Sequence, residues 1–309
     1  MGRVTQRFIL TITVATALAC AWPSVALGTT RAPQGKSPTL TDPRKSPAKP
    51  PHPNMLLKRG WRAYQRGEVE KAVSLFEYGA QLYPNDPSLH YDLGCLYAVQ
   101  KKFSLARKAL RAALLLNPRF ASAYDALGQA YEQEYYFDEA LLFYGAATEM
   151  EPQNVKFLEH LARVQMRIAE FKGARESLRQ ILLFAPEDLE SRYRLGTLQI
   201  RAGEHEEAAE QFRRVVEGQP AHVMAWNGLG LAYTRLKRFP EAAQALRKAE
   251  ALEPDNPVTQ NHLGLLAAEQ QLWDQARDAW ERALKMSPGF TPADKNLKEF
   301  LTIHKESSQ

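Results

Sequence analysis

Seven prolines recur in this chain at one fixed interval, and this recurrence restricts the fold more than any other feature of the sequence. Each proline follows the previous one by 34 residues, without an insertion or a deletion. A period between about 20 and 50 residues is typical of proteins built from stacked structural repeats. Because proline cannot continue a helix, we expect a helix to end shortly before each one. These residues are Pro84, Pro118, Pro152, Pro186, Pro220, Pro254 and Pro288.

Small residues recur at two further positions when the chain is aligned in this register. Position 8 is glycine in six repeats and Ala162 in the fourth, and position 20 is alanine in all seven. Large apolar residues stand mainly at positions 4, 7, 11 and 24. This pattern predicts two antiparallel helices per repeat, which cross closely at the small residues and share one core along the stack. The repeats are residues 53–86, 87–120, 121–154, 155–188, 189–222, 223–256 and 257–290.

The sixth repeat carries the pattern most completely, and it resembles the signature of the tetratricopeptide repeat (TPR) family. The resemblance covers residues 53–290 and implies an all-α, right-handed α-solenoid of seven 34-residue helix–turn–helix units. Residues 291–309 should form a capping helix and a tail, with Leu297 and Leu301 on its apolar face and Lys298 at the glycine position. The residues that carry the resemblance are Trp226, Leu229, Gly230, Tyr233, Ala242 and Pro254.

The first 52 residues differ from the repeats in composition. Arg3 and Arg7 precede an apolar run, and small residues at Ser24 and Ala26 follow it. This layout predicts a cleavable signal peptide over residues 1–26, and an uncleaved anchor is the alternative. The following residues, 27–52, are rich in proline and poor in apolar side chains, so we expect a disordered linker.

The cysteine content leaves a second interpretation of the leader open. The chain has two cysteines, Cys20 and Cys95, so cleavage after Ala26 would leave one thiol and no internal disulfide. Bacterial lipoproteins are instead cut before an acylated cysteine. Ala19 fits such a site, but Leu18 stands one position out of register. Lipidation at Cys20 therefore remains an alternative to signal-peptide cleavage near Ala26.

The charge balance gives no support for a nucleic-acid partner. The chain has a formal net charge of +5, but residues 1–53 hold seven Lys/Arg and one Asp. The remainder holds 33 basic and 34 acidic residues. The repeat region is thus close to neutral, which is unlike the basic surfaces that bind phosphate backbones.

No motif in the chain indicates catalysis. Gly228 and Gly230 begin like a dinucleotide fingerprint, but the third glycine and the preceding strand are missing. The histidines are scattered without metal-ligand spacing, and His205 has no second histidine four residues on. Cys95 has no evident base nearby. We therefore expect neither an enzyme nor a cofactor or metal site.

The resemblance implies that the first helices line a concave groove that binds peptides. Position 13 carries an arginine in repeats 4, 5 and 6, where a cation also complements the helix dipole. Arg163 and Arg194 have no such structural reason, so we expect them to help bind an acidic residue or a C-terminal carboxylate; an ordinary solvated face is the alternative. The predicted groove residues are Arg163, Arg167, Arg194, Arg201, Arg235, Asn227, Asn261, Trp61 and Tyr91.

These expectations together describe a non-enzymatic protein–protein interaction scaffold. It would be exported to the periplasm and bind an extended peptide or a partner helix, acidic in character, during assembly of a bacterial envelope complex. The alternatives are a lipid-anchored assembly factor for pili or secretion, an accessory subunit of a cell-wall or polysaccharide enzyme, and a self-associating structural protein. Membrane contact is expected only through Cys20 or an uncleaved leader.

Overall fold

The computed structural model describes residues 51–306, and it describes side chains as far as residue 302. The predicted leader, most of the predicted linker and Cys20 lie outside the described residues. Within residues 51–306 the chain forms α-helices and no β-strand. The predicted all-α helical repeat solenoid is therefore confirmed.

Each repeat contains one helix from its first residue and a second helix from its seventeenth. The first helices are α1 (Pro53–Gln65), α3 (Pro87–Val99), α5 (Ala121–Glu132), α7 (Val155–Arg167), α9 (Leu189–Ala202), α11 (Val223–Arg235) and α13 (Pro257–Glu269). The second helices are α2 (Val69–Leu82), α4 (Phe103–Leu116), α6 (Phe137–Met150), α8 (Phe171–Phe184), α10 (His205–Gly218), α12 (Phe239–Leu252) and α14 (Trp273–Met286). A final helix, α15, spans Thr291–Glu306.

The two helices of a repeat approach closely where the sequence has small residues. A Cβ atom built on Gly128 would lie 2.6 Å from the Tyr144 ring, and one on Gly230 would lie 2.5 Å from Leu246. The alanine at position 20 is fully buried in all seven repeats. The close helix crossing predicted from the sequence is therefore present, and it explains why larger residues are absent from these positions.

Position 4 departs from an apolar consensus in several repeats, and hydrogen bonding explains the departure. The side chains of His90, Arg192 and Trp226 all stand at this position. Each lies within hydrogen-bond distance of the backbone carbonyl of the proline six residues earlier, at 2.9, 2.6 and 2.8 Å respectively. Three chemically different side chains thus satisfy the same carbonyl in the turn between repeats.

The repeats stack so that the first helices lie on the inner side. Each first helix packs against its own second helix and against the second helix before it, and successive first helices such as α11 and α13 also contact one another. The second helices make no comparable contact with each other in the described region. Because one row of helices is closer together than the other, the first helices line the concave face.

The capping helix α15 closes the described stack, with one difference from the sequence prediction. Leu297 and Phe300 pack against the cluster around Trp280, as an apolar face requires. Leu301, expected on the same apolar face, is 41% exposed. Position 11 normally packs inside a helix pair, and no second helix follows α15 within the described residues. Lys298 remains in solvent and pairs with Asp294 at 2.8 Å.

Candidate binding groove

An aromatic cluster forms the groove surface in repeats 1 and 2. Trp61 packs edge-on against Tyr64 and Phe76, and its Nε1 donates a hydrogen bond to Asp92 Oδ2 at 3.1 Å. Asp92 is buried, and burial raises the pKa of its carboxyl to about 6 although the Trp61 hydrogen bond opposes the shift. Tyr91 packs against the ring of Phe120 at the end of its own repeat, and burial raises the pKa of its phenol. This end of the groove is therefore mainly aromatic, with one buried carboxyl group.

An ionised network joins repeats 3 and 4. Arg163 donates from Nε and from a terminal nitrogen to the two oxygens of Glu132, at 2.9 and 2.7 Å. Tyr144 donates a third hydrogen bond to Glu132 at 2.6 Å. Burial by itself would raise the pKa of Glu132, but the hydrogen bonds from Arg163 and Tyr144 lower it below its usual value. Beside them, His160 Nδ1 and Asp125 Oδ1 lie 2.7 Å apart.

The structure therefore separates the predicted groove arginines into two groups. In the first group the guanidinium already has a carboxylate partner. Arg163 pairs with Glu132 as described, Arg194 pairs with Glu190 at 2.6 Å, and Arg235 pairs with Glu269 at 3.1 Å. The hydrogen bond to Glu132 raises the pKa of Arg163. These arginines already have partners within the protein; the sequence indicates Glu190 as a neighbour of Arg194, but it does not indicate that Arg163 binds Glu132.

The second group consists of Arg167 and Arg201, which contact aromatic rings instead of carboxylates. Arg167 Cζ lies 5.1 Å from the Phe137 ring centroid, and Arg201 Cζ lies 4.1 Å from that of Phe171. Both arginines are exposed, and neither forms a hydrogen bond or an ion pair within the described residues. Each ring belongs to the preceding repeat, so the two contacts are related by the 34-residue period.

The two predicted groove asparagines are buried between repeats, and the expectation that their amides hold a peptide backbone is wrong. Asn227 is 1% exposed and donates from Nδ2 to Thr259 Oγ1 at 3.0 Å. Asn261 is 4% exposed and accepts a hydrogen bond from Asn296 at 2.9 Å. The Asn227 side chain therefore turns into the junction with repeat 7 and the Asn261 side chain into the junction with the capping helix, instead of into the open groove.

The described residues contain no cluster of His, Cys, Asp and Glu that could hold a metal ion. Burial raises the pKa of the Cys95 thiol to about 12, so this cysteine is protonated at neutral pH and is a poor nucleophile. Burial also lowers the pKa of His262 to about 4. In the part of the chain that the structure describes, no helix is long and apolar enough to span a bilayer.

Asp125 and Glu132 are groove residues that the sequence analysis did not single out. The sequence did contain a signal for the Glu132–Arg163 pair. Position 12 of one repeat faces position 9 of the next repeat, and Glu132 and Arg163 stand at these two positions. Comparing such positions between neighbouring repeats would have shown the opposite charges, although not which rotamers bring them into contact.

Sequence models of the tetratricopeptide repeat match the chain at residues 87–120, 121–154 and 193–257. The first two ranges coincide with the second and third repeats of the proline register. Among curated proteins, the chain is 27% identical over 125 residues to the BBSome complex member BBS4 of Bos taurus. It is 25% identical over 115 residues to RNA polymerase II-associated protein 3 of Homo sapiens. These matches cover 40% and 37% of this chain but only 24% and 17% of the two relatives.

Solved structures share the fold at low sequence identity. The C-terminal part of a TPR repeat-containing protein from Cytophaga hutchinsonii has a TM-score of 0.59 and 15% identity, covering 78% of this chain and 98% of that one. YrrB, described as a TPR protein with an unusual peptide-binding site, has a TM-score of 0.52 and 19% identity, covering 62% and 99%. MamA has a TM-score of 0.50 and 24% identity, covering 54% and 92%.

Proposed function

Since this chain is a tetratricopeptide repeat protein, and such repeats indicate a protein–protein interaction scaffold, we propose that it binds an extended peptide or a partner helix along the concave groove. The ligand carries an acidic side chain or a free C-terminal carboxylate, which binds in the section of the groove formed by repeats 4 and 5. The described groove has neither a metal cluster nor an activated thiol, and we propose that the protein acts without catalysis.

The observation that carries this proposal is the state of Arg167 and Arg201. An aromatic ring covers one face of each guanidinium and restricts its rotation, while the N–H donors at the edge stay without a partner in the described region. A guanidinium held in this way keeps its planar set of donors ready for a carboxylate. Less side-chain entropy is then lost on binding, which is an advantage for recognising a flexible peptide.

The other arginines support this assignment by contrast. Arg163 is held by two hydrogen bonds to a mostly buried carboxylate, so a ligand would have to break a formed pair to use it. Arg194 and Arg235 belong to more exposed pairs, which contribute about 0 to 1 kcal/mol and can exchange with a ligand more easily. Trp61 and Tyr91 supply apolar contact at the opposite end of the groove.

The test starts with a crosslinking pull-down from intact envelopes, using the chain as bait. The affinity of the recovered partner is then measured for Arg167→Gln/Arg201→Gln, which removes both charges and keeps a side chain over each ring. We expect affinity to fall at least about tenfold, because charge-assisted hydrogen bonds contribute about 1.5 to 3 kcal/mol each. Arg213→Gln/Arg214→Gln, on a second helix, is the matched control. Equal affinity of the two folded variants would disprove the carboxylate site.

We further propose that the protein works in the bacterial envelope, after export and removal of residues 1–26. The support is the order of charged, apolar and small residues in the leader, followed by the proline-rich linker. The intact mass of the protein isolated from its host tests this. A mature chain that begins near Leu27 without an acyl group is expected, whereas a lipid-bearing N-terminus at Cys20 would establish the membrane-anchored lipoprotein instead.

A further inference from the structure

Two neighbouring repeats carry opposite charge, although the repeat region as a whole is balanced. Residues 87–120 hold six Lys/Arg and one Asp, which gives a formal charge of +5. Residues 121–154 hold seven Asp/Glu and no Lys or Arg, which gives −7. Each of the other five repeats lies between −1 and +1. The charge separation is therefore confined to repeats 2 and 3.

Eight of these charged residues form no ion pair within the described part of the chain. In repeat 2, Lys101, Lys102, Lys108 and Arg119 are exposed and form no ion pair with any described residue; in repeat 3 the same is true of Asp138, Glu139, Glu149 and Glu151. Exposed cations that form no ion pair with a described residue also occur in other repeats, as Arg62 and Arg247 do, and repeats 2 and 3 differ from them by the size and sign of their net charge. We call these eight residues, which form no ion pair in the described region, the bipolar face.

Helix stability does not account for the bipolar face. Lys102 is the N-cap residue of α4, and Glu149 lies in the last turn of α6. A cation at the N-terminus and an anion at the C-terminus both oppose the helix dipole, at about 0.3 to 1 kcal/mol each. Only Asp138 and Glu139, in the first turn of α6, are placed favourably.

Exposed apolar side chains lie among these charges. Leu105 and Leu115 on α4 are 45% and 62% exposed, and Leu142 on α6 is 57% exposed. Both helices are second helices, so this surface lies on the convex side, opposite the groove. Exposed leucines beside charged side chains that form no ion pair are typical of a protein-binding surface. Such a surface fits a partner that presents the complementary arrangement of charges.

We propose that the bipolar face binds the bipolar face of a second copy of this chain. A two-fold axis parallel to α4 and α6, and midway between them, would place repeat 2 of each copy over repeat 3 of the other. Both contacts between the cations of repeat 2 and the anions of repeat 3 then form at once, and equivalent positions of α4 and α6 face each other. Lys102 and Lys108, at positions 16 and 22, lie opposite Asp138 and Glu139, at positions 18 and 19.

This geometry makes the face self-complementary, which is what an isologous dimer interface requires. A two-fold axis perpendicular to these helices would instead place repeat 2 over repeat 2 and bring like charges together. The leucines beside the charges would be buried in the dimer, and the ion pairs would fix its register. The inference concerns the convex face and does not depend on the groove proposal.

The test is sedimentation velocity of the full chain over a range of concentrations. We expect a monomer–dimer equilibrium at low salt that shifts to monomer at about 1 M salt, where the Debye length falls to about 3 Å. Lys102→Glu/Lys108→Glu makes all four facing positions acidic, and Asp138→Lys/Glu139→Lys makes all four basic. Each variant alone should raise the dimer dissociation constant at least about tenfold, because like charges then face each other.

Mixing the two variants gives the decisive result, because the acidic positions of one variant then face the basic positions of the other. An equimolar mixture should form a heterodimer, and a chain with all four substitutions should form a homodimer again. Arg247→Glu/Lys248→Glu in repeat 6 makes the same charge change and should leave the dimer unaffected. A monomeric parent chain at every concentration, dimers insensitive to both reversals, or a mixture that stays monomeric would each overturn the proposal.

Discussion

Neighbouring repeats of the groove are joined by hydrogen bonds between charged side chains at one junction and mainly by hydrogen bonds between neutral side chains at another. Between repeats 3 and 4, Asp125 contacts His160 and Glu132 binds Arg163. Between repeats 6 and 7, the buried link is an amide–hydroxyl hydrogen bond from Asn227 to a threonine. Asp125 and Asn227 occupy the same position of their repeats. The one ion pair described at the second junction, Arg235–Glu269, is exposed at the rim.

The difference shows that the repeat register determines which positions contact each other across a junction. It does not determine whether the side chains at those positions are charged or neutral. The same backbone geometry accommodates an ionised network and a neutral amide. The charged junction depends on desolvation, salt and protonation, whereas the neutral one depends on hydrogen-bond geometry alone. The two junctions should therefore respond differently to the same perturbations.

The largest effect is expected from Gly128→Leu, which acts on the charged junction through Tyr144. A leucine would overlap the Tyr144 ring, which lies 2.6 Å from the position of a Cβ, and would displace the hydroxyl that donates to Glu132. We expect a loss of about 3 kcal/mol in the free energy of unfolding, measured with denaturant. Gly289→Leu is the control, because nothing lies within 4 Å of its Cβ position, and it should change stability by less than about 0.5 kcal/mol. Equal losses would contradict the register.

The next effect tests the charged link itself. Glu132→Gln should lower stability by about 2 kcal/mol, because the amide cannot accept both guanidinium hydrogen bonds and part of Arg163 is left without a counter-charge. We expect a smaller loss of stability than for a fully buried ion pair, because the Arg163 side chain is 42% exposed. The loss should shrink at high salt. A double-mutant cycle with Arg163→Met measures the coupling, and zero coupling would mean that the pair contributes nothing.

The matched change at the neutral junction is Asn227→Ala. It removes the buried hydrogen bond to Thr259, and we expect a loss of about 1 kcal/mol. Because neither partner is charged, this loss should be the same at low and high salt. If the Asn227 variant were as sensitive to salt as the Glu132 variant, the distinction between the two junctions would be wrong.

The remaining two predictions concern the pH dependence of stability, which has opposite signs at the two ends of the groove. Burial raises the pKa of Asp92 from 3.8 to about 6, so the folded state binds this proton more tightly than the unfolded state. The stabilisation is complete below about pH 4 and is lost as pH rises through about 6. Asp92→Asn should therefore remove the change in the free energy of unfolding between about pH 4 and 6, and it should stabilise the protein at neutral pH. An unchanged profile between pH 4 and 6 would disprove the assignment.

His262 is the counterpart at the other end. Burial lowers its pKa from 6.5 to about 4, so protonation favours the unfolded state. This group should lower stability as pH falls from about 6.5 towards 4. His262→Gln should remove that dependence while preserving a polar side chain at the buried site. Stability measured by denaturant unfolding across this range checks the prediction, and a variant that still loses the same stability on acidification would contradict it.

The groove residues show why sequence reasoning succeeded only in part. Their positions on the first helices followed from the 34-residue register. Their roles did not, since Arg163 was expected to bind a ligand and instead holds Glu132. Arg167 and Arg201 were explained by the helix dipole, yet they are the arginines whose donors stay unpaired in the described residues.

The sequence by itself determined the repeat length, the start of every helix pair and the residues at each close crossing. These features depend on local conformation and on side-chain size, which repeat identically along the chain. Only the tertiary structure decided which polar side chains meet, as Glu132 and Arg163 do, and which turn into a junction, as Asn227 does. A hydrogen bond requires atoms to lie within about 3 Å with suitable rotamers in two different repeats, and no periodic pattern specifies that distance.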